Sequence, residues 1–448
     1  MPRPATAMII VRLGLITLCA LWMHAAAARE LGAQAGGASW VGAWAMAPQA
    51  VAQHPAAPSY DRAPAVFNAT VRQIIVPTLP GPALRLRLSN RFGTQDVRID
   101  KVAVAMVRRG AAIDPATLRT VLFDGQAPLR IPAGGSRVSD AVDLPVQAGK
   151  ALAVSLAVHG NVTPQTWHKL ASQVNFISAA GDHADDAGGA AFTRRVTSYL
   201  WLDGMQVRVP AAEHAAAVVA IGDSITDGMR STLNADRRWP DALARRLREA
   251  GIRNLAVLNA GISGNRLLHD SPCYGISLEQ RFARDALDQP GVRAVIVLAG
   301  INDLNFGFVA PHAGLDCDVP HVKVSAADLI AGYRALIAQA HARGVVIDGG
   351  TITPANLPPG RETVRRAVNA WIRHSHAFDG VIDFDAALRD PAQPSRLLPR
   401  FDSGDHVHPS DAGYAAMAAA VPLGLLQARP SAPTLGAGGG RAVAAASP

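Results

Sequence analysis

The sequence predicts an α/β protein in two parts: an all-β sandwich, then a three-layer α/β/α sandwich on a five-stranded parallel sheet. Three observations carry this. From Glu213 onward, short apolar segments alternate with amphipathic segments of helical length, the pattern of parallel strands joined by crossover helices. Before Leu202 the texture is β throughout, with turn residues between runs of alternating hydrophobicity. Between them, His214–Gly228 reads as a buried strand ending on Gly222-Asp223-Ser224, which sets a serine hydroxyl at the sheet's carboxyl edge, where open sheets of this kind carry their sites.

Taken in order, residues 1–28 have the pattern of a cleaved secretory leader. Arg3 and Arg12 are the basic flank, Leu13–Met23 the apolar run, and Ala25–Ala28 the small residues of a cleavage site. The run is too short to span a bilayer. Cys19 follows Leu18, whereas a lipid-modified cysteine needs a small residue before it. The expectation is a secreted or periplasmic protein with no stable membrane anchor. Residues 29–39 read as a Gly/Ala linker.

The sandwich is expected over 40–205. Leu84, Leu86 and Leu88 face one side of a strand, and Arg85 and Arg87 the other. Val71–Val76, Val97–Val104 and Leu152–Val158 are further strands. Turns are expected at Pro80-Gly81-Pro82, Asn90–Gly93 and Gly134-Gly135-Ser136, and a loop over Gly181–Ala190.

The α/β domain is expected over 213–427, with strands at Ala217–Ile221, Leu255–Asn259, Ala294–Leu298, Val345–Ile347 and Val381–Phe384. Helices fit at Trp239–Ala250, Leu278–Leu287, Ser325–Arg343 and Glu362–His376, and after Ser410. In the Ser325 helix, Leu329, Ile330, Tyr333, Leu336 and Ile337 recur at helical spacing. Residues 428–448, rich in Pro, Ala and Gly, are expected to be disordered.

Net charge is +8, but only four of the 43 basic residues are lysines and no dense basic run with interleaved aromatics occurs, which excludes a nucleic-acid partner. Loss of the leader leaves two cysteines, Cys273 and Cys317. An even pair in an oxidising compartment predicts a disulfide. They follow the second and third strands of the parallel sheet, which are expected to be neighbours.

Three further loops follow strand ends. They are Asn259–Arg266, Gly300-Ile301-Asn302-Asp303 and, before the last helix, Asp405-His406-Val407-His408-Pro409. Each alone reads as a turn, a cap or a surface loop; at one sheet edge they form a set of hydrolase parts. Gly222-Asp223-Ser224, Gly264, Gly300-x-Asn302-Asp303 and Asp405-x-x-His408 resemble, in order, the blocks of the SGNH (GDSL) hydrolases, over roughly Glu213–Leu426. Trp40–Trp44, the β-rich domain and Asn265-Arg266-Leu267-Leu268 are similar to the branch containing XynE-like carbohydrate esterases. The resemblance implies a flavodoxin-like fold, catalysis by Ser224, Asp405 and His408, and an oxyanion hole of the Ser224 and Gly264 N–H groups with the Asn302 side chain.

The residues themselves fit those roles. A serine needs a base, a histidine can take and return its proton, and an aspartate three residues upstream can fix the ring tautomer. His406 competes with His408, but the spacing from Asp405 favours His408. Asp223 reads as shaping its turn, Asp303 as ordering the Asn302 loop, and Arg266 as a solvated side chain before a substrate contact. Zinc on Asp405, His406 and His408 lacks a standard spacing, so no metal and no cofactor is expected.

The function expected is an exported serine esterase acting on ester-linked acyl groups, acetyl groups on polysaccharide among them. The alternatives are a lipase or lysophospholipase of the same fold, and a non-catalytic carbohydrate-binding protein. For the β domain, a structural role stands beside carbohydrate binding.

Overall fold

The structure is a computed structural model that describes residues 38–427 except Ala56. The expected leader with Cys19, and the expected disordered tail, lie outside the described residues. Of the expected linker, Ala38 and Ser39 are described, and they open the first strand.

The β domain is built from β1 (Ala38–Ala45), β2 (Ala69–Ile75), β3 (Leu84–Ser89), β4 (Val97–Arg109), β5 (Ser136–Val138), β6 (Leu152–Val158), β7 (Thr166–His168), β8 (Asn175–Ala180), β9 (Arg194–Val196) and β10 (Leu202–Pro210). One antiparallel sheet runs β1-β10-β3-β5; a larger one contains β9-β8-β2-β6-β4. Leu84, Leu86 and Leu88 are buried, as their alternation predicts, whereas Arg85 and Arg87 are only partly exposed.

The α/β domain contains β11 (Ala216–Gly222), β12 (Leu255–Gly261), β13 (Val292–Leu298), β14 (Val346–Gly350) and β15 (Gly380–Ile382). Its helices are α1 (Ser224–Asp227), α2 (Trp239–Glu249), α3 (Leu278–Phe282), α4 (Ile301–Phe306), α5 (Ala326–Ala342), α6 (Pro359–His374), α7 (Phe384–Leu388), α8 (Asp411–Ala420) and α9 (Leu423–Gln427). The sheet is parallel with order β12-β11-β13-β14-β15. That order corrects one expectation. β12 and β13 are not neighbours, because β11 lies between them; a chain that builds outward from its first strand in both directions leaves that strand central. The α5 stripe is buried at Leu329, Tyr333, Leu336 and Ile337, and the helix opens on a Ser325–Asp328 capping box. The helix expected over Leu278–Leu287 is α-helical only in its first half and continues as a π turn.

The two domains share one hydrophobic core. Val41, Leu84 and Leu156 of the sandwich belong to the same buried cluster as Val218 and Val295 of the parallel sheet. β1 lies against β12, and Gly42 N–H donates to the Pro290 carbonyl at 2.8 Å. β12 is an edge strand, so one row of its backbone groups is left unpaired by the sheet. Thr78 of the β domain covers part of that row: its hydroxyl accepts from Val257 N–H at 3.0 Å and lies 3.0 Å from the Val257 carbonyl.

Candidate active site

β11 ends on Gly222 because nothing larger fits: a Cβ there would strike the Leu298 carbonyl of β13. Asp223 caps α1 by accepting from Ile225 N–H at 3.0 Å. Ser224 is thereby the first residue of a one-turn helix, and its N–H has no acceptor within that helix. Asp223 is fully buried, and burial pushes its carboxyl up to about 7. Its second oxygen meets no hydrogen-bond partner among the described residues.

The Asp405–His408 loop meets Ser224 from the far end of the chain. His408 Nε2 lies 2.8 Å from Ser224 Oγ, and His408 Nδ1 lies 2.8 Å from Asp405 Oδ2. Asp405 also accepts from the Val407 and His408 N–H groups at 3.0 and 2.8 Å, and from Arg230 Nε at 3.1 Å. Burial alone would raise its pKa, but the His408 N–H and ring and the Val407 N–H outweigh it and hold the carboxylate well below the usual range. His406 turns elsewhere: its Nδ1 pairs with Asp402 at 2.6 Å and its side chain is largely exposed.

The Gly264 turn is held by the N–H groups on either side of Gly264. Asn265 N–H closes it onto the Ile262 carbonyl at 3.0 Å. Gly264 has φ +80°, the value the third residue of a type II turn requires and L side chains avoid. The Tyr274 ring lies where a Cβ on Gly264 would stand. Ser263 gives both its N–H (2.9 Å) and its hydroxyl (2.6 Å) to Asp227 Oδ2 at the end of α1. The Asn302 amide donates one hydrogen to the Asn265 carbonyl at 2.9 Å, and its geometry leaves a second hydrogen for another acceptor.

Two supporting residues act differently from expectation. Asp303 accepts from Leu267 N–H at 2.8 Å and Leu268 N–H at 3.0 Å, so it ties the loop after Gly264 to α4. Arg266 is not solvated. It is 2% exposed, donates to the Pro320 and Asp318 carbonyls at 2.9 and 3.2 Å and also to those of Val319 and Asp270, and lies over the Phe306 ring. A guanidinium has five donors, and here carbonyls take those of the two Nη atoms in place of water, while Nε meets no partner among the described residues.

Sequence reasoning missed Asp227, Ser263, Arg281 and His168. Asp227 had a signal, standing three residues after Ser224 and so one helical turn on; Arg281 and His168 had none. Arg281 is fully buried beneath the site. It donates to the Gly222 and Ala260 carbonyls and to Asn265 Oδ1, each at 2.8 Å, and to Asp285 at 3.1 Å.

Cys273 and Cys317 form a disulfide with Cα atoms 5.3 Å apart. It joins the segment after the Gly264 turn to the loop that Arg266 holds. Ser271 Oγ donates to the Cys317 carbonyl at 2.6 Å beside it.

Residues 220–416 match the model of the GDSL-like Lipase/Acylhydrolase family. Similar solved structures include an acetyl xylan esterase from Geobacillus stearothermophilus (23% identity, 46% of this chain and 94% of that one, TM-score 0.35). Others are a GDSL-like lipase from Bacteroides thetaiotaomicron (19%, 49% and 92%, 0.33) and a lipase/acylhydrolase from Enterococcus faecalis (19%, 46% and 92%, 0.34). No curated protein matches the chain.

The disulfide closes a loop of sequence separation 44, which corresponds to about 3–4 kcal/mol in the chain-entropy treatment. Replacing both cysteines by serine is expected to lower the unfolding free energy by that amount, and with it the midpoint, in a chemical unfolding experiment. An unchanged midpoint refutes it.

Proposed function

From a chain whose residues 220–416 are a GDSL-like lipase/acylhydrolase domain, and which is a carboxylic ester hydrolase, we propose an exported serine esterase that uses Ser224, His408 and Asp405. The observation that carries the proposal is the continuous run of two 2.8 Å contacts from Ser224 Oγ through the imidazole to Asp405. His408 Nε2 takes the hydroxyl proton as Ser224 attacks the ester carbonyl, then returns it to the leaving alcohol. Asp405 holds the proton on Nδ1 and offsets the charge of the imidazolium. The oxyanion is received by the Ser224 and Gly264 N–H groups and the second hydrogen of the Asn302 amide. Water repeats the sequence on the acyl-enzyme, so the chemistry requires no metal or cofactor.

The substrate we propose is a short acyl ester, acetyl groups on polysaccharide in particular. Tyr274 packs against the Gly264 turn, and its ring and that of Tyr60 lie 5.4 and 5.3 Å from the Lys169 ammonium. Tyr60, which comes from the β domain, is 70% exposed and offers a ring face for a sugar. Exposed Phe308, Val309 and Val322, just beyond α4, favour the second reading, a longer acyl chain. Among the described residues no helix is long and apolar enough to cross a membrane, and the disulfide supports an oxidising location.

Activity across p-nitrophenyl esters of increasing chain length, then acetyl release from acetylated xylan, separates the two readings: a rate that climbs with chain length rejects the short-acyl assignment. Ser224→Ala is expected to abolish hydrolysis while leaving the circular dichroism spectrum intact, and full activity in that variant rejects the nucleophile. Asn302→Ala is expected to lower kcat about 100–1000-fold with little change in KM, because an oxyanion donor acts in the transition state; unchanged turnover removes Asn302 from the site.

The depressed Asp405 carboxylate also fixes the acid limb. Its stabilising contacts are fully present above the ordinary value of 3.8 and are lost only as pH falls through its lower folded value. Asp405 therefore stays ionised on the acid side until that lower value is reached. A plot of log kcat/KM against pH is expected to fall with a single-proton slope on the acid side, and a two-proton slope there contradicts the ionised state of Asp405.

A further inference from the structure

The Gly264 turn is held by a residue of the other domain. Asp227 Oδ2 carries both donors of Ser263, the residue before Gly264. Asp227 Oδ1 lies 3.0 Å from Nε2 of His168, at the end of β7 in the β domain. His168 Nδ1 in turn lies 3.0 Å from the Ala47 carbonyl. Both ring nitrogens face oxygens, so the ring is held with a proton on each and forms an ion pair with Asp227. Each of the two side chains is only 4% exposed.

We infer that His168 is a positioning residue for the oxyanion hole: it fixes Asp227, and Asp227 fixes Ser263, the residue that precedes the Gly264 N–H. The inference rests on the reading of Ser224 and Gly264 given above. Its logic is geometric. Asp227 sits on the same one-turn helix as Ser224, and Ser263 is the second residue of the turn whose third is Gly264. One carboxylate therefore spans the nucleophile helix and the donor turn. Asp227 accepts from the Ser263 N–H and hydroxyl on one oxygen and faces His168 on the other, so the residue from which the Gly264 N–H hangs is fixed, and a shift of Ser263 carries that N–H with it. Without His168, a buried carboxylate oxygen loses its donor, and the carboxylate is free to turn. A second link, the Asn259 side chain accepting from Gly261 N–H and donating to the Thr226 carbonyl at 2.9 Å each, holds the base of the loop but does not reach the turn.

The test uses the full chain with His168→Leu, His168→Gln, Ser263→Ala and the His168→Gln/Ser263→Ala double variant. Active sites are first counted by the p-nitrophenol released stoichiometrically when diethyl p-nitrophenyl phosphate modifies Ser224. Turnover of p-nitrophenyl acetate is then expressed per counted site. A residue that only holds the fold lowers the count; a positioning residue lowers the rate at each site. Turnover per site in His168→Leu is expected to fall roughly 10–100-fold, the scale of a misplaced catalytic group, with KM within about threefold. His168→Gln, which keeps a neutral N–H for Asp227, is expected to recover part of the loss. The double variant is expected to lose less than the product of the single losses, since both act through Asp227. Wild-type turnover per site in the His168 variants overturns the inference, as does a double variant whose loss equals that product. Should His168→Leu not fold, the glutamine variant and the double variant decide alone. A wild-type chain in which Ser224 is not modified rejects the triad instead, a distinguishable result.

Discussion

The site depends on Arg281, a fully buried guanidinium that no substrate touches. The carbonyls at the ends of these parallel strands lie in a dry interior, and each has a second lone pair left to satisfy: the Gly222 carbonyl accepts from Ile262 N–H at 3.1 Å and has room for one more donor. Arg281 takes the last carbonyl of β11, at Gly222, and that of Ala260 near the end of β12, and through Asn265 Oδ1 it reaches the turn that follows. Asp285, on the π turn one step further along the same segment, balances part of its charge. Burying a lone guanidinium is strongly unfavourable; burying one with its donors spent on carbonyls and a carboxylate is a compact way to fix two strand ends at once. Ser224 and Gly264 both follow strands that Arg281 clamps.

The same device recurs. Arg72 in the β domain, fully buried, donates to Ser155 Oγ at 2.8 Å and to the carbonyls of Ala111, His183, Ala184 and Asp186, and so orders a glycine- and aspartate-rich loop. Arg365 joins Glu362, Asp385 and the Ile352 carbonyl under the far side of the sheet. Arg266 does so beside the disulfide. The excess of arginine over lysine, legible as a composition bias, is put to structural use: a planar five-donor group satisfies several carbonyls in fixed directions, which a lysine ammonium cannot do.

What could be read in the sequence is what is local. Ser224 and its turn, the Asp405-x-x-His408 spacing and the α5 stripe depend on residues a few positions apart, and each stands where its local pattern puts it. The parts that escaped are long-range. His168 meets Asp227 across 59 positions and two domains, and Thr78 meets Val257 across 179; no periodicity links either pair. Arg266 was noticed but misjudged, because a charged side chain in a loop looks the same in sequence whether water or a ring of carbonyls surrounds it. The strand neighbours of the disulfide were misplaced for a related reason. Strand order is a property of crossover direction, and a list of strands does not contain it.

The Thr78 hydroxyl on the edge of β12 has a consequence for how this molecule could be cut and recombined. An exposed strand edge invites addition of another strand, from a second copy or from a misfolded neighbour. Here the β domain occupies that position with a single hydroxyl and a packed strand, leaving less of the edge open to such pairing. A chimera that transplanted the α/β domain onto another carrier would inherit an unguarded edge, and would lose His168 with it. The β domain thus stands where a neighbouring strand would otherwise add to the sheet.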